Sequence, residues 1–160
     1  MDEITISTTL QVYDNINELP KDIQSLMDSA IEARNNAYAP YSNFNVGAAL
    51  LLDNDEVVIG SNQENASYPS GLCAERTAIY YAGAKYSKAK ILKMAISASS
   101  QNQVTDKPIP PCGACRQSIA EYEIKQDQPI EIYFMGAKGK VVKSKSLSNL
   151  LPLLFDNSVL

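Results

Sequence analysis

The order of hydrophobic periods along this chain predicts an α/β fold, a mixed sheet with helices on its faces. Three observations predict it. A helical period is followed by two strand-like runs joined by a tight turn. Two alternations of helix then strand come next, and both of those helices start at a cysteine. A strand pair around Gly136-Ala137-Lys138-Gly139 closes the order. The 160 residues suffice for one compact domain, read as residues 20–160 behind an arm over 1–19.

Within the arm, Ile4, Ile6, Leu10 and Val12 alternate with polar residues, the period of a short edge strand. A flexible terminal arm fits the same residues. Pro20 opens a helix, because a proline is tolerated where the first N–H groups have no partner. Ile23, Leu26, Met27, Ala30, Ile31 and Arg34 keep helical spacing, and Pro40 stops the run. Residues 38–45 read as a loop rich in aromatics and asparagine. Residues 46–52 are a mostly apolar strand, Asp53-Asn54-Asp55 a turn, and 57–61 its hairpin partner. Residues 62–72 form a polar loop carrying Pro69 and Gly71. A helix over 73–83 and a buried strand over 91–99 follow. The loop 100–111 ends in Pro110-Pro111, before a second helix over 112–123. Strands over 130–135 and 141–144 flank the last turn, and 147–154 reads as a short helical piece. The sequence contains no internal repeat and no low-complexity tract.

Composition narrows the function. Hydrophobic residues at 45% and charged residues at 20% leave material for a sizeable core. A net charge of −4 creates no field that would gather nucleic acid or an anionic membrane. Lys138, Lys140, Lys143 and Lys145 form the densest basic run, the solvated face of a late hairpin. No apolar run approaches the roughly 20 residues that cross a bilayer. Met1-Asp2-Glu3 lacks the charged and apolar regions of a secretion signal, so a cytoplasmic protein is expected.

The three cysteines carry the chemistry. Cys73 begins Cys73-Ala74-Glu75, and the other two lie in Pro111-Cys112-Gly113-Ala114-Cys115. An odd count argues against a disulfide framework and favours metal or redox chemistry. The chain has no histidine. Three thiolates hold a tetrahedral Zn²⁺ with its fourth position open, as catalytic zinc sites do; a structural site closes with four protein ligands. All three cysteines fall where a loop becomes a helix, where unpaired N–H groups and the helix dipole favour a thiolate. Glu75, in the first turn beside Cys73, suits a proton carrier next to a metal-activated water. Arg76 and Arg116, each directly after a motif residue, are expected to hydrogen-bond the sulfurs and withdraw their charge. A lone Cys-x-x-Cys also fits a redox pair or half of a structural zinc site. A redox pair has no need of Cys73 or Glu75, and a structural site lacks a ligand.

Cys73-Ala74-Glu75-Arg76-Thr77-Ala78 followed by Pro110-Pro111-Cys112-Gly113-Ala114-Cys115-Arg116-Gln117 resembles the cytidine deaminase family, in its all-cysteine branch acting on free nucleosides. Residues 41–50, Tyr-Ser-Asn-Phe-Asn-Val-Gly-Ala-Ala-Leu, resemble the family's first-strand motif, and residues 62–68, Asn-Gln-Glu-Asn-Ala-Ser-Tyr, its ribose-binding loop. The similarity runs from about Ile23 to Phe155. It implies a three-layer sandwich with helices on both faces of a mixed sheet. It implies one zinc per subunit and hydrolysis of cytidine and deoxycytidine to uridine, deoxyuridine and ammonia. By the same resemblance Phe44 packs against the pyrimidine, Asn62 and Glu64 bond the ribose hydroxyls, and the Ala74 backbone positions the base. The family is usually a homotetramer, and Phe155 matches an aromatic that enters a neighbouring subunit's site. Read singly, Asn62 and Glu64 also fit loop-capping roles and Phe44 a core position.

The residues leave two rival functions. One is a deaminase of another nucleoside, such as blasticidin S, although the Asn-x-Glu-Asn loop at 62–65 argues for ribose. The other is a non-catalytic zinc-binding interaction module. An enzyme editing RNA or DNA is disfavoured, because basic and aromatic residues are not interleaved.

Overall fold

Alternation along the central strands decides which residues face which helices, and so fixes the layers. The computed structural model describes residues 1–159. Its strands are β1 (Gln11–Tyr13), β2 (Phe44–Leu52), β3 (Val57–Ser61), β4 (Ile91–Ser100), β5 (Glu131–Met135) and β6 (Val141–Ser144). The helices are α1 (Lys21–Arg34), α2 (Ala74–Lys85) and α3 (Gly113–Lys125). The strands form one sheet in the order β1-β6-β5-β4-β2-β3. Among the described residues, only strands β4 and β5 pair in parallel, joined by α3 as a βαβ crossover.

Successive strand residues point to opposite faces. Ala49 and Ala95 therefore meet α1 in one core with Ile23, Leu26, Met27 and Ala30. Their neighbours Ala48, Leu50, Met94 and Ile96 meet α2 and α3 in a larger core with Ala78, Ile79 and Ile119. One helix lies on one face and two on the other, which makes the three layers. Small residues bring the helices close. A Cβ at Gly47 would lie 2.0 Å from the Ala30 carbonyl oxygen, so only glycine lets α1 rest on β2 there.

Several boundaries differ from the sequence reading. β2 begins two residues earlier, because Phe44 and Asn45 pair with Ser100 and Ser99 of β4. That extension carries Phe44 to the rim of the sheet. β1 covers residues 11–13 alone and pairs with β6, while residues 1–10 adopt no regular element. The helical piece expected over 147–154 shrinks to a single 3₁₀ turn, Leu147–Asn149. Leu153 takes a left-handed backbone, φ 59°, which a continuing helix forbids. Further 3₁₀ turns at Ile16–Glu18, Tyr68–Ser70 and Asn157–Val159 carry no periodic signal in the sequence. In the basic run, Lys143 pairs with Glu131 at 2.7 Å and Lys140 with Asp14 at 3.5 Å. Among the described residues, no helix is long and apolar enough to cross a membrane.

Candidate active site

Two helices begin at the same place. Cys73 is the N-cap of α2 and Cys112 the N-cap of α3, and neither side chain caps its own helix. A helix normally starts at Ser, Thr, Asp or Asn, whose oxygen takes an orphan N–H. These helices forgo that bond and aim their positive ends at a cluster of sulfur. The Sγ atoms of Cys73, Cys112 and Cys115 all lie within 4.8 Å of one another. Tetrahedral zinc with sulfur bonds of about 2.3 Å needs sulfurs about 3.8 Å apart, so the donor set fits that ion. Cys115 is buried, Cys73 half-buried and Cys112 exposed, which leaves one side of the cluster open.

The position of α2 is set from below. A Cβ at Gly60 of β3 would come within 2.6 Å of both the Ala74 carbonyl oxygen and the Ala78 nitrogen. Glycine there seats the first turn of α2, and with it Cys73 and Glu75, against the sheet.

The open side of the cluster faces a cavity of about 760 Å³, whose lining includes Cys73, Glu75 and Cys112. Glu75 is 4% exposed. Burial lifts its carboxyl above the ordinary glutamate range, and the nearby Cys73 charge adds to that rise. A hydrogen bond from Cys115 is the main cause that pulls Cys73 down to about 6, against the opposing effect of burial; Cys112 and Arg76 assist. Cys115 moves up, because it gives that bond to Cys73 and is itself buried.

Arg76 lies beside Cys73 and acts on its charge. Arg116 does not reach the sulfurs, which corrects the expectation for it. Its Nε donates to the Pro111 carbonyl at 2.8 Å and its NH1 to the Leu150 carbonyl at 2.7 Å. Two unpaired carbonyls intercept the guanidinium, which thereby ties the start of α3 to the C-terminal segment.

The remaining expected residues divide. Phe44 is half-buried and lines the cavity instead of the core. Asn62 also lines it, yet both ends of its amide brace β2: Oδ1 accepts from Val46 N–H at 2.7 Å, and Nδ2 donates to the Phe44 carbonyl at 2.9 Å. One N–H and one lone pair remain for anything else. The Glu64 carboxylate accepts the Tyr41 and Ser42 N–H groups at 2.9 and 3.2 Å. The Ser42 hydroxyl first, and then those two bonds, hold it below the usual glutamate range. Ala74 is fully buried at the first position of α2, where its N–H has no intrahelical partner. Phe155 is 62% exposed and does not line the cavity; Gln117 holds its carbonyl.

Sequence reasoning passed over Tyr41 and Tyr68. Their rings stand 5.7 Å apart on the cavity wall. Ile109 and Pro110 close another side. The aromatic content of the two loops was visible, but their meeting depends on the bridge Tyr38–Gln63, which has no sequence signal.

Residues 20–128 match the family model described as "Cytidine and deoxycytidylate deaminase zinc-binding region". The chain belongs to this family. A cytidine deaminase of Halalkalibacterium halodurans is 42% identical over 134 residues, spanning 84% of this chain and 94% of that protein. One from Sporosarcina psychrophila is 38% identical, with 84% and 92% covered. Among solved structures, the cytidine deaminase of Burkholderia pseudomallei superposes with a TM-score of 0.70 at 39% identity, covering 82% of this chain and 97% of that one. That of Mycobacterium tuberculosis gives 0.65 at 33% identity, covering 86% and 99%. All three cysteines fall within the stretch that matches the deaminase family, and Cys73 and Cys112 line the cavity.

Proposed function

We propose that this protein is a zinc-dependent deaminase hydrolysing cytidine and deoxycytidine to the uracil nucleosides and ammonia. The observation that carries the reading is one arrangement: three sulfurs on two converging helix starts, with buried Glu75 lining a nucleoside-sized cavity beside them. Family membership supports it.

Cys73, Cys112 and Cys115 would hold one zinc per subunit. Zinc bound there supplies a water acidic enough to attack at neutral pH. Glu75 does the proton work. Its carboxylate takes one proton from the attacking water and gives it to N3 of the base. It takes the second and gives it to the amino group at C4, which leaves as ammonia. Burial raises the affinity of Glu75 for a proton, which suits a group that must hold and then release one. Arg76 draws charge from Cys73.

Phe44 packs against the pyrimidine, and the Ala74 backbone positions the base. Asn62 and Glu64 bond the ribose hydroxyls with the capacity their backbone bonds leave. A carboxylate at this position disfavours a 5′-phosphate, so a nucleoside is preferred to a nucleotide. Phe155 completes the site of a neighbouring subunit in a homotetramer; its exposure, with that of Leu153, supports such a role. Three unpaired thiols suit the reducing cytoplasm.

The test is direct. The zinc-loaded protein is incubated with cytidine, deoxycytidine, cytosine, dCMP and blasticidin S, and ammonia release and ultraviolet absorbance are followed. Turnover of the two nucleosides above the others is expected, with a tetramer on sizing chromatography. No ammonia from cytidine would sink the proposed activity.

A further inference from the structure

Arg76 is one of two arginines in the sulfur motifs, and the side chain beneath it belongs to neither motif. Tyr80 lies one helical turn after Arg76 on α2, and the Arg76 guanidinium stands over its ring, 5.9 Å from the centroid. The Tyr80 hydroxyl reaches across to α3, 3.2 Å from Ser118 Oγ. The direction of that bond is decided by the next one. Ser118 gives its own proton to the Ala114 carbonyl at 2.9 Å, so Tyr80 is the donor. Ala114 stands between Cys112 and Cys115. A continuous path therefore runs from the arginine beside Cys73, through Tyr80 and Ser118, to the peptide between the other two sulfurs.

We infer that Tyr80 is a positioning residue of the metal centre. Its ring holds Arg76 against Cys73, and its hydroxyl fixes the spacing of the two helices that present the cysteines. Both functions meet in one side chain because the sulfurs come from two elements. The two helices already pack through Ala78, Ile79, Ile119 and Ala120 in one core, and the Tyr80–Ser118 bond adds a directional tie across them. The hydroxyl also lies beside the Arg76 guanidinium, so Tyr80→Phe removes both of its contacts and Tyr80→Leu removes the ring as well.

The inference rests on zinc binding by the three cysteines, and the experiment separates the two. Zinc release to a chelator is timed in wild type, Tyr80→Phe, Ser118→Ala and the double variant. Losing one neutral hydrogen bond predicts release about fivefold faster in each single variant. The double variant should match the singles, since all cut the same path. Tyr80→Leu also frees Arg76. In the cobalt-substituted protein its sulfur-to-metal charge-transfer band should move to lower energy, because the sulfurs become more electron-rich. The kcat for cytidine should fall while KM stays. Tyr80→Phe keeps the ring and should move the band less than Tyr80→Leu. Wild-type release rates in both Tyr80→Phe and Ser118→Ala, with zinc still bound, overturn the inference alone, even if Tyr80→Leu does not fold. A wild-type protein that binds no zinc overturns both it and the metal site.

Discussion

Gly60 offers a severe test, because it touches neither metal nor substrate. Replacing it with alanine places a Cβ 2.6 Å from two backbone atoms of α2, the Ala74 oxygen and the Ala78 nitrogen. Ordinary contact begins near 3.4 Å, so β3 and the first turn of α2 must part by about 0.8 Å. Neither neighbour is a flexible side chain that could swing aside. Overpacking of this kind costs about 1–3 kcal/mol of stability. The larger effect should fall on chemistry. Cys73 and Glu75 sit on the turn that moves, and a shift approaching 1 Å at a catalytic group costs up to about a hundredfold in rate. Gly60→Ala should therefore lose about tenfold or more in kcat while remaining folded, with zinc held less tightly. Steady-state kinetics on cytidine, thermal melting and zinc titration measure the three quantities. A Gly60→Ala protein with wild-type kcat and zinc affinity would refute the claim that this contact sets the height of Glu75.

Glu75→Gln keeps shape but cannot carry a proton; turnover should fall by at least about a hundredfold with zinc content unchanged, measured by ammonia release and metal analysis. Asn62→Ala removes two bonds that brace β2 beside the cavity, so both Tm and the affinity for cytidine should drop, whereas a purely ribose-binding side chain would leave Tm alone. Stripping zinc with a chelator should abolish activity and lower Tm, and added zinc should restore both; recovery of neither would count against the site. Burial pushes the Glu131 carboxyl up, but Lys143, Tyr133 and Lys93 outweigh it, so it ionises below the usual glutamate range. A depressed carboxyl contributes stability above its unfolded value, about 4.3, which is lost as pH falls through the folded one. Melting curves below pH 5 should thus decline less steeply in Glu131→Gln than in wild type.

The zinc ligands were legible because ligand chemistry restricts residue type: three cysteines, no histidine, and helix starts that a sequence pattern marks by proline and apolar spacing. Of the helices, α1 was legible from its apolar spacing, whereas α2 and α3 carry little such periodicity and were marked by the loops before them. What escaped was decided by partners distant in sequence. Phe44 and Asn45 look like loop beside Ser42 and Asn43, yet pairing with β4 makes them strand. Asn62 carries a ribose-loop pattern, and nothing in that pattern tells that Val46 and Phe44 occupy both ends of its amide. The Tyr41–Tyr68 pair joins residues from two loops that meet only after folding.

Arg116 shows how such a miss changes the electrostatic account. Three thiolates with a divalent cation leave one negative charge in excess, which opposes releasing a proton from a water there. Two arginines were expected to offset it. Arg76 lies where it favours a charged Cys73; Arg116 spends its charge on the Pro111 and Leu150 carbonyls. The remaining compensation must come from the helix starts. Each presents several unpaired N–H groups equivalent to roughly half a positive charge. Cys73 and Cys112 leave those groups uncapped. A serine or aspartate at either N-cap would quench the local dipole as well as remove a ligand. The two converging helix ends are thus as much a part of the site's charge balance as Arg76. Arg116→Met should accordingly loosen the C-terminal segment and lower Tm, yet leave the charge-transfer energy of the cobalt-substituted protein where it is in wild type. A shift in that band as large as the one caused by removing Arg76 would restore the second arginine to the sulfurs and refute this division of labour.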